Sequence, residues 1–176
     1  MIEITLLGTG SPLVDPRRAG PATLVRAGGA SFLFDAGRGV LMRAAAAGVA
    51  ANQLTMLVLT HLHSDHITDL NDVITSRWVT TFTPAPLRVV GPPGTTRVFD
   101  GLLASLGPDI SYRLAHHEDL TWDPGVEVRE HMEGVVFEEG GVRIVVAPTD
   151  HRPLHPSVGY RIQDHDRSVV IARETV

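Results

Sequence analysis

The sequence predicts an α/β fold with a mixed sheet, built as a single domain over residues 1–176. Three observations lead to this prediction. Strand-like and helix-like patterns alternate in the first half of the chain, and strands follow one another from about residue 110 onward. A chain with 43% hydrophobic and 20% charged residues can also bury a core of its own, and no stretch of it resembles a linker.

In the first half of the chain, segments with the apolar pattern of a strand alternate with segments that have the apolar pattern of a helix. Short apolar runs bounded by turn residues predict strands, and apolar residues spaced three to four apart predict helices. Gly28-Gly29 separates two of the strands, which predicts a hairpin, and Gly48 is the expected end of the first helix. These elements are strands over residues 2–7, 23–26, 31–34, 56–60 and 87–90 and helices over residues 40–47, 69–81 and 95–106.

The second half of the chain predicts strands in series. Alternating or continuous apolar residues favour strands over residues 126–130, 135–138, 142–147, 157–162 and 168–171. Strands interleaved with helices, followed by strands in series, indicate a mixed sheet rather than an all-α or all-β domain.

The composition limits the metal sites that the chain can form, the partners it can bind and the cellular compartment in which we expect it. Because there is no cysteine, disulfides and thiolate metal sites are excluded, and any metal must be held by His, Asp or Glu. The net charge of −5 does not favour nucleic-acid binding, although a bound metal ion would add local positive charge. The first residues lack a signal-peptide pattern and the apolar runs are strand-sized, so we expect a cytoplasmic protein that does not enter a membrane.

Four metal-binding side chains stand within six positions directly after the strand predicted at residues 56–60: His61, His63, Asp65 and His66. In an extended loop His61 and His63 point the same way because side chains alternate, so two imidazoles can hold one ion. Asp65 and His66 project differently and can serve a second ion, and two metals about 3.5–4 Å apart suit hydrolysis. A polar loop with unrelated histidines is the alternative interpretation, and the density of the cluster disfavours it.

This cluster resembles the signature of the metallo-β-lactamase superfamily, and the surrounding segments are similar to those of its ribonuclease Z-like branch. The similar segments follow the family's order along the whole chain, which makes the resemblance more specific than the histidines alone. They are residues 6–12 (LLGTGSP), 32–39 (FLFDAGRG), 65–70 (DHITDL), 150–161 (DHRPLHPSVGYR) and Arg167–Ile171. The resemblance implies the family's αββα sandwich, in which two sheets lie between helical layers.

The resemblance also implies roles for individual residues. His61, His63 and His151 would hold one zinc ion, and Asp65 and His66 would contribute to a second. Asp65 would also lie near the hydroxide that bridges the ions, where it can orient the hydroxide or accept a proton.

Two further residues belong to this expected site. His155 stands close to His151 in the sequence and is the alternative third ligand, although the family places the ligand at the position of His151. Asp35 is expected to brace the metal-binding loop by accepting a hydrogen bond from the backbone or from a ligand imidazole. No metal role is expected for the remaining histidines, which are His116, His117, His131 and His165.

The last residues depart from the family pattern. Family members read Gly-Asp-Thr, with the aspartate bridging both metals, where this chain reads Arg173-Glu174-Thr175, so Glu174 is a candidate bridging ligand. The family continues with another half-domain that supplies one more zinc-binding histidine. We therefore expect the C-terminal half of the sandwich to be incomplete, and the isolated chain to be unstable or to form a homodimer.

The resemblance implies a zinc-dependent hydrolase with two zinc ions per complete site, in which a metal-bound hydroxide attacks a phosphodiester, as in RNA or tRNA 3′ processing. Ribonuclease Z proper often inserts a tRNA-binding arm after the Gly-Tyr-Arg segment, and here only residues 163–166 separate the adjoining strands. Hydrolysis of small sulfate or phosphate esters, as in arylsulfatase-like relatives, is therefore an alternative. A second alternative is an inactive metal-binding or interaction protein, which Glu174 and the incomplete C-terminal half would explain.

Overall fold

The computed structural model describes residues 1–153 and 155–172, which form two β-sheets with helices. The first sheet has six strands, which in spatial and sequence order are β1 (Glu3–Gly8), β2 (Ala22–Ala27), β3 (Ala30–Phe34), β4 (Met56–Val58), β5 (Leu87–Gly91) and β6 (Val126–Glu130). The second sheet has four strands, which in sequence order are β7 (Gly134–Glu139), β8 (Val142–Pro148), β9 (Val158–Asp164) and β10 (Arg167–Ile171).

Helices connect the strands of the first sheet. They are α1 (Val40–Ala46), the 3₁₀ helix Ala51–Gln53, α2 (Ser64–Ile67), α3 (Leu70–Val79) and α4 (Thr95–His116). In the part of the chain that the structure describes, none of these helices combines the length and the apolar character that a bilayer crossing requires.

Helix α4 is longer than the sequence predicted. Predicted to end at residue 106, it runs to His116, so residues 110–116 are helical rather than part of the β-rich region. Arg113 donates to Asp109 one turn earlier (Nε to Oδ2, 2.8 Å), and such pairs stabilise a helix. The prediction was wrong here because these final turns bury no residue fully, so apolar periodicity does not mark them.

Strands in the middle of the first sheet contribute alternate residues to two different apolar layers. Leu33 and Leu57 face the helices and pack in one cluster with residues of α1, α3 and α4. Phe32 and Val58 face the other way and pack against residues of the second sheet. The layers are therefore helices, first sheet and second sheet, as side-chain alternation along strands requires. These are three of the layers of the αββα sandwich that the resemblance implies.

The parallel part of the first sheet gathers several loops at one edge. Strands β3 to β6 pair in parallel, whereas β1 and β2 pair antiparallel, which confirms the predicted α/β class with a mixed sheet. Asp35 after β3 and Thr60 after β4 lie at the shared carboxyl edge. The second sheet is fastened to the same edge, because Tyr160 Oη donates to the Leu59 carbonyl (2.8 Å) and Val158 N–H donates to the Thr60 carbonyl (2.9 Å).

Candidate metal centre

A buried carboxylate organises the carboxyl edge of the first sheet. Asp35 follows β3 in a left-handed conformation (φ 61°), which aspartate tolerates better than most residues, and it is fully buried. Its Oδ1 accepts a hydrogen bond from the Thr60 backbone N–H (2.9 Å), and its Oδ2 accepts one from His66 Nδ1 (2.9 Å). These bonds compensate the burial of the charge and tie the end of β3 to the loop after β4.

The Thr60 hydroxyl connects this carboxylate to His61. Its oxygen lies 2.9 Å from Asp35 Oδ2 and 3.0 Å from His61 Nδ1. A hydroxyl has one proton to donate and a carboxylate can only accept, so Thr60 donates to Asp35 and accepts from the Nδ1–H of His61. This arrangement leaves the lone pair of His61 on Nε2, the atom that lies next to His63.

The surroundings of His61 keep its imidazole neutral. Burial, and then the neighbouring imidazole of His66, lower the pKa of His61 to about 4. The neutral form is the one that binds a metal ion, because the cationic form has no lone pair to offer. The fold therefore holds His61 in the protonation state and tautomer that a metal ligand needs.

Three histidines meet at this edge: His61, His63 and His151, with one nitrogen of each within 4.8 Å of those of the others. His61 Nε2 lies 3.1 Å from His63 Nδ1, and the ring centroid of His151 lies 5.2 Å from that of His61. Three nitrogens bound at about 2.0–2.1 Å to one tetrahedral ion lie about 3.3 Å apart. Three imidazoles gathered in this way could hold a single metal ion.

His151 comes from the second sheet, in the loop between β8 and β9. In this loop Thr149 N–H donates to the Ser157 carbonyl (2.9 Å), and the hydroxyl oxygens of these two residues are 2.7 Å apart. His155 lies in the same loop but is exposed, and within the described residues it is not a member of the three-histidine group. The geometry favours His151 over His155 as the third ligand.

Asp65 and His66 border the three-histidine group from α2. Both side chains are buried, with His66 Nε2 3.9 Å from Asp65 Oδ2 and the ring centroids of His66 and His61 4.0 Å apart. Neither joins the set of described residues that could hold one ion together, so their expected part in a second metal site stays a prediction. Glu174, the expected bridging ligand, lies outside the described residues.

Two residues of this edge were not singled out from the sequence, Thr60 and Tyr160. Thr60 stands directly before the first histidine at the end of a buried strand, and that position is a signal that could have identified it. Tyr160 has no such local signal. Burial, and then the charge of Asp35, raise the pKa of its hydroxyl, which keeps it protonated as the donor to Leu59.

Gly37 allows the loop after β3 to lie directly against the loop that carries the candidate metal ligands His61 and His63. A Cβ at this position would be 2.6 Å from the Asp65 carbonyl oxygen and 2.5 Å from the carbonyl carbon of Gly20. Next to it, Ala36 N–H donates to the His66 carbonyl (2.7 Å). The two loops are thus joined at a place that has no room for a side chain.

Comparison with known sequences gives a family and a set of relatives. The model of the metallo-beta-lactamase superfamily matches residues 15–172. The chain is 61% identical over 177 residues to Ribonuclease Z of Mycobacterium sp. (strain KMS), an alignment that covers 100% of this chain and 62% of that protein. The chain therefore spans about three fifths of the length of the curated relatives it matches first.

Solved structures share the fold. Human tRNase Z, short form, superposes with a TM-score of 0.74 at 23% identity, covering 100% of this chain and 71% of that one. The metallo-beta-lactamase fold protein YhfI from Bacillus subtilis superposes with a TM-score of 0.73 at 21% identity, covering 96% and 61% of the two chains. These likenesses confirm the fold class predicted from the sequence. With the family match over residues 15–172, they establish that the chain belongs to the metallo-β-lactamase superfamily.

Proposed function

We propose that this chain forms the zinc site of a hydrolase that cleaves RNA phosphodiesters, as in the 3′ processing of tRNA precursors. The observation that carries the proposal is the three-histidine group, whose nitrogens lie within 4.8 Å of one another at the carboxyl edge of the first sheet. The choice of RNA rests on the 61% identity to a protein named Ribonuclease Z.

In this proposal His61, His63 and His151 hold the zinc ion. When bound, zinc supplies a Lewis acid that makes water a nucleophile near neutral pH and stabilises charge on a phosphoryl oxygen. Thr60 and Asp35 keep His61 in the tautomer whose Nε2 faces the group. The orientation of His61 is therefore fixed by buried hydrogen bonds before any ion arrives.

Asp65 is the proposed proton acceptor. Its carboxylate is buried beside the three histidines, and its Oδ2 lies 3.9 Å from His66 Nε2. A carboxylate so placed can orient the attacking water and take its proton. We also propose that Asp65 and His66 contribute to a second zinc ion, for which Glu174 remains a candidate ligand from the sequence alone.

The test measures zinc content and cleavage together. The wild-type chain, purified without chelators, is expected to bind zinc and to cut a pre-tRNA transcript at its 3′ trailer. His63→Ala is expected to lose both, whereas His116→Ala, an exposed histidine at the end of α4, is the matched control and should retain both. Zinc at a hundredfold excess over its Kd should raise the free energy of unfolding of the wild type by about 2.7 kcal/mol. A wild-type chain that binds no zinc would contradict the proposal.

The same preparation separates the alternatives. Cleavage of p-nitrophenyl phosphodiesters or sulfates without cleavage of the transcript would favour a small-ester hydrolase. Bound zinc without any turnover would favour an inactive metal-binding protein. The homodimer and the cytoplasmic location expected from the sequence stay predictions, and size-exclusion chromatography with light scattering would test the first of them.

A further inference from the structure

A carboxylate from β6 caps the beginning of helix α4. Glu130, the last residue of β6, accepts hydrogen bonds through Oε1 from the backbone N–H groups of Thr96 (2.8 Å) and Gly94 (3.1 Å). The first N–H groups of a helix have no partner inside the helix, and Gly94, at the N-cap position, has no side chain that could accept from them. Glu130 therefore supplies, from a neighbouring strand, the cap that the sequence of α4 lacks.

The ionised form of Glu130 suits this place. Hydrogen bonds from Thr96 above all, and then from Gly94, hold the pKa of the Glu130 carboxyl below its usual value of 4.5, so the group is charged at neutral pH. A negative charge at the beginning of a helix is stabilised by the helix dipole. In the same turn Thr95 is fully buried, and its hydroxyl donates to the Pro92 carbonyl (2.7 Å). The beginning of α4 is thus held from two sides.

This end of α4 contacts the loop that carries the candidate metal ligands. A Cβ on Gly94 would lie 3.1 Å from Leu62 Cδ1, so the Gly94 backbone faces the Leu62 side chain at close range. Leu62 stands between His61 and His63 and packs against the apolar cluster that α1, α3 and α4 share. The beginning of α4 therefore forms part of the surface on which the residue between two candidate ligands packs.

His63 depends on such support more than His61 does. His61 is buried and oriented through Thr60, whereas the His63 side chain is exposed. Among the residues that the structure describes, no hydrogen bond joins the His63 imidazole to a residue outside the three-histidine group. The position of His63 therefore follows from its backbone, which Leu62 anchors on one side. On the other side His66 N–H donates to the His63 carbonyl (3.0 Å).

We propose that Glu130 is a positioning residue for the metal site, which fixes the beginning of α4 so that Leu62 holds His63 in the orientation that binds zinc. The inference rests on the proposed function and adds to it a residue from a different strand. Groups that support metal ligands typically contribute 10–100-fold to metal affinity. Because Glu130 acts through one residue more, we expect a contribution at the lower end, about tenfold. If Glu130 only capped the helix, its removal would lower stability and leave the metal site unchanged.

The test compares variants by zinc affinity, measured by calorimetry, and by the visible absorption spectrum of the cobalt-loaded chain, which reports the geometry of the ligands. Glu130→Ala removes the acceptor, Glu130→Gln keeps an acceptor oxygen, and Leu62→Ala removes the side chain through which Glu130 acts. Glu127→Ala is the matched control, because Glu127 is an exposed glutamate of the same strand and makes no side-chain hydrogen bond or ion pair with any described residue. Urea denaturation of each metal-free variant verifies that it is folded.

Glu130→Ala is expected to lower zinc affinity about tenfold and to alter the cobalt spectrum, because His63 loses its orientation. Glu130→Gln should recover most of the affinity and the wild-type spectrum, and Glu127→Ala should match the wild type in both. Because Glu130 acts through Leu62, the double variant Glu130→Ala/Leu62→Ala should bind zinc no more weakly than Leu62→Ala alone.

Wild-type zinc affinity and cobalt spectrum in a folded Glu130→Ala would overturn the inference and leave Glu130 as a helix cap only. Losses that add in the double variant would also overturn it, because they would show two independent effects. So would a Glu130→Gln variant that binds zinc as weakly as Glu130→Ala. A wild type that binds zinc without cleaving the pre-tRNA transcript would defeat the proposed RNA cleavage alone, since the zinc comparison does not depend on turnover. A wild type that binds no zinc would defeat both.

Discussion

Two loops supply histidines to the same group, and they are held in very different ways. The loop after β4 carries His61 and is fastened by Asp35 and Thr60, all of which are buried. The loop between β8 and β9 carries His151, which is partly exposed, and is held by bonds between its own ends at Thr149 and Ser157. The difference teaches that one half of the candidate site is organised by the core of the fold, whereas the other half depends on a surface loop.

The largest expected effect comes from removing the carboxylate that organises the first loop. Asp35→Ala leaves the Thr60 N–H and His66 Nδ1–H buried without their acceptor, and each such donor costs about 1–3 kcal/mol. We expect the free energy of unfolding to fall by about 3 kcal/mol or more, measured by urea denaturation. In Asp35→Asn, which keeps an acceptor oxygen, the free energy of unfolding should fall by less. A loss below about 1 kcal/mol in Asp35→Ala would show that the loop does not depend on this residue.

The second prediction compares one histidine from each loop. His61→Ala and His151→Ala should each lower zinc affinity by about 100-fold or more, measured by calorimetry, because even residues that only support ligands contribute 10–100-fold. The stability of the metal-free protein should fall by about 1–2 kcal/mol in His61→Ala, since His61 is fully buried and bonded to Thr60. In His151→Ala the stability of the metal-free protein should change by less than about 0.5 kcal/mol.

His155→Ala is the control for the second loop. It should bind zinc like the wild type, because His155 is exposed and stands apart from the described three-histidine group. Wild-type zinc affinity in His151→Ala together with a loss in His155→Ala would reverse the assignment of the third ligand.

The third prediction concerns the bond that joins the two sheets behind the site. Tyr160→Phe leaves the Leu59 carbonyl without its hydroxyl donor in a buried place, so the free energy of unfolding should fall by about 1–2 kcal/mol. Tyr112→Phe, which alters an exposed hydroxyl on α4, should change it by less than about 0.5 kcal/mol. Equal denaturation midpoints for the two variants would mean that this bond does not hold the sheets together.

The smallest expected effect lies at the far end of the second sheet. The Met1 amino group donates to Asp164 Oδ2 (2.6 Å), and this bond, followed by that of His165, holds the pKa of Asp164 below its usual value of 3.8. Because the folded-state pKa is lowered, the stabilisation is present above 3.8 and is lost as pH falls through the folded-state value. The urea midpoints of wild type and Asp164→Asn should therefore differ at about pH 7 and converge at about pH 2. If the urea midpoints of wild type and Asp164→Asn differ by the same amount at both pH values, the ionised Asp164 carboxylate is not the source of the stabilisation.

Much of the fold and part of the site could be predicted from local patterns. The strands around Phe32 and Leu57 were located because apolar runs of that length describe strands wherever they occur, and the structure has both. The cluster from His61 to His66 was recognisable because its spacing is a property of consecutive residues. The predicted end of α4 was wrong because its last turns bury no residue fully, so apolar periodicity does not register them.

Other features of the site depended on which distant segments come together. Tyr160 and Leu59 are 101 positions apart, and no pattern near either of them indicates that they form a hydrogen bond. The choice between His151 and His155 likewise depends on how the loop between β8 and β9 packs, since both residues have the same chemistry. The family resemblance favoured His151, and the geometry of the three-histidine group supports that choice.

The sequence by itself determined the α/β class, most of the strands and helices, the absence of thiolate ligands and the position of the candidate metal-binding cluster after β4. These properties depend on side-chain type and on spacing along a continuous chain, which folding does not alter. The tertiary structure decided that Asp35 binds Thr60 and His66 and that His151 joins His61 and His63. The physical reason is that these contacts join residues far apart in sequence, and they form only where the packing of two sheets and the helical layer brings the loops to a common edge.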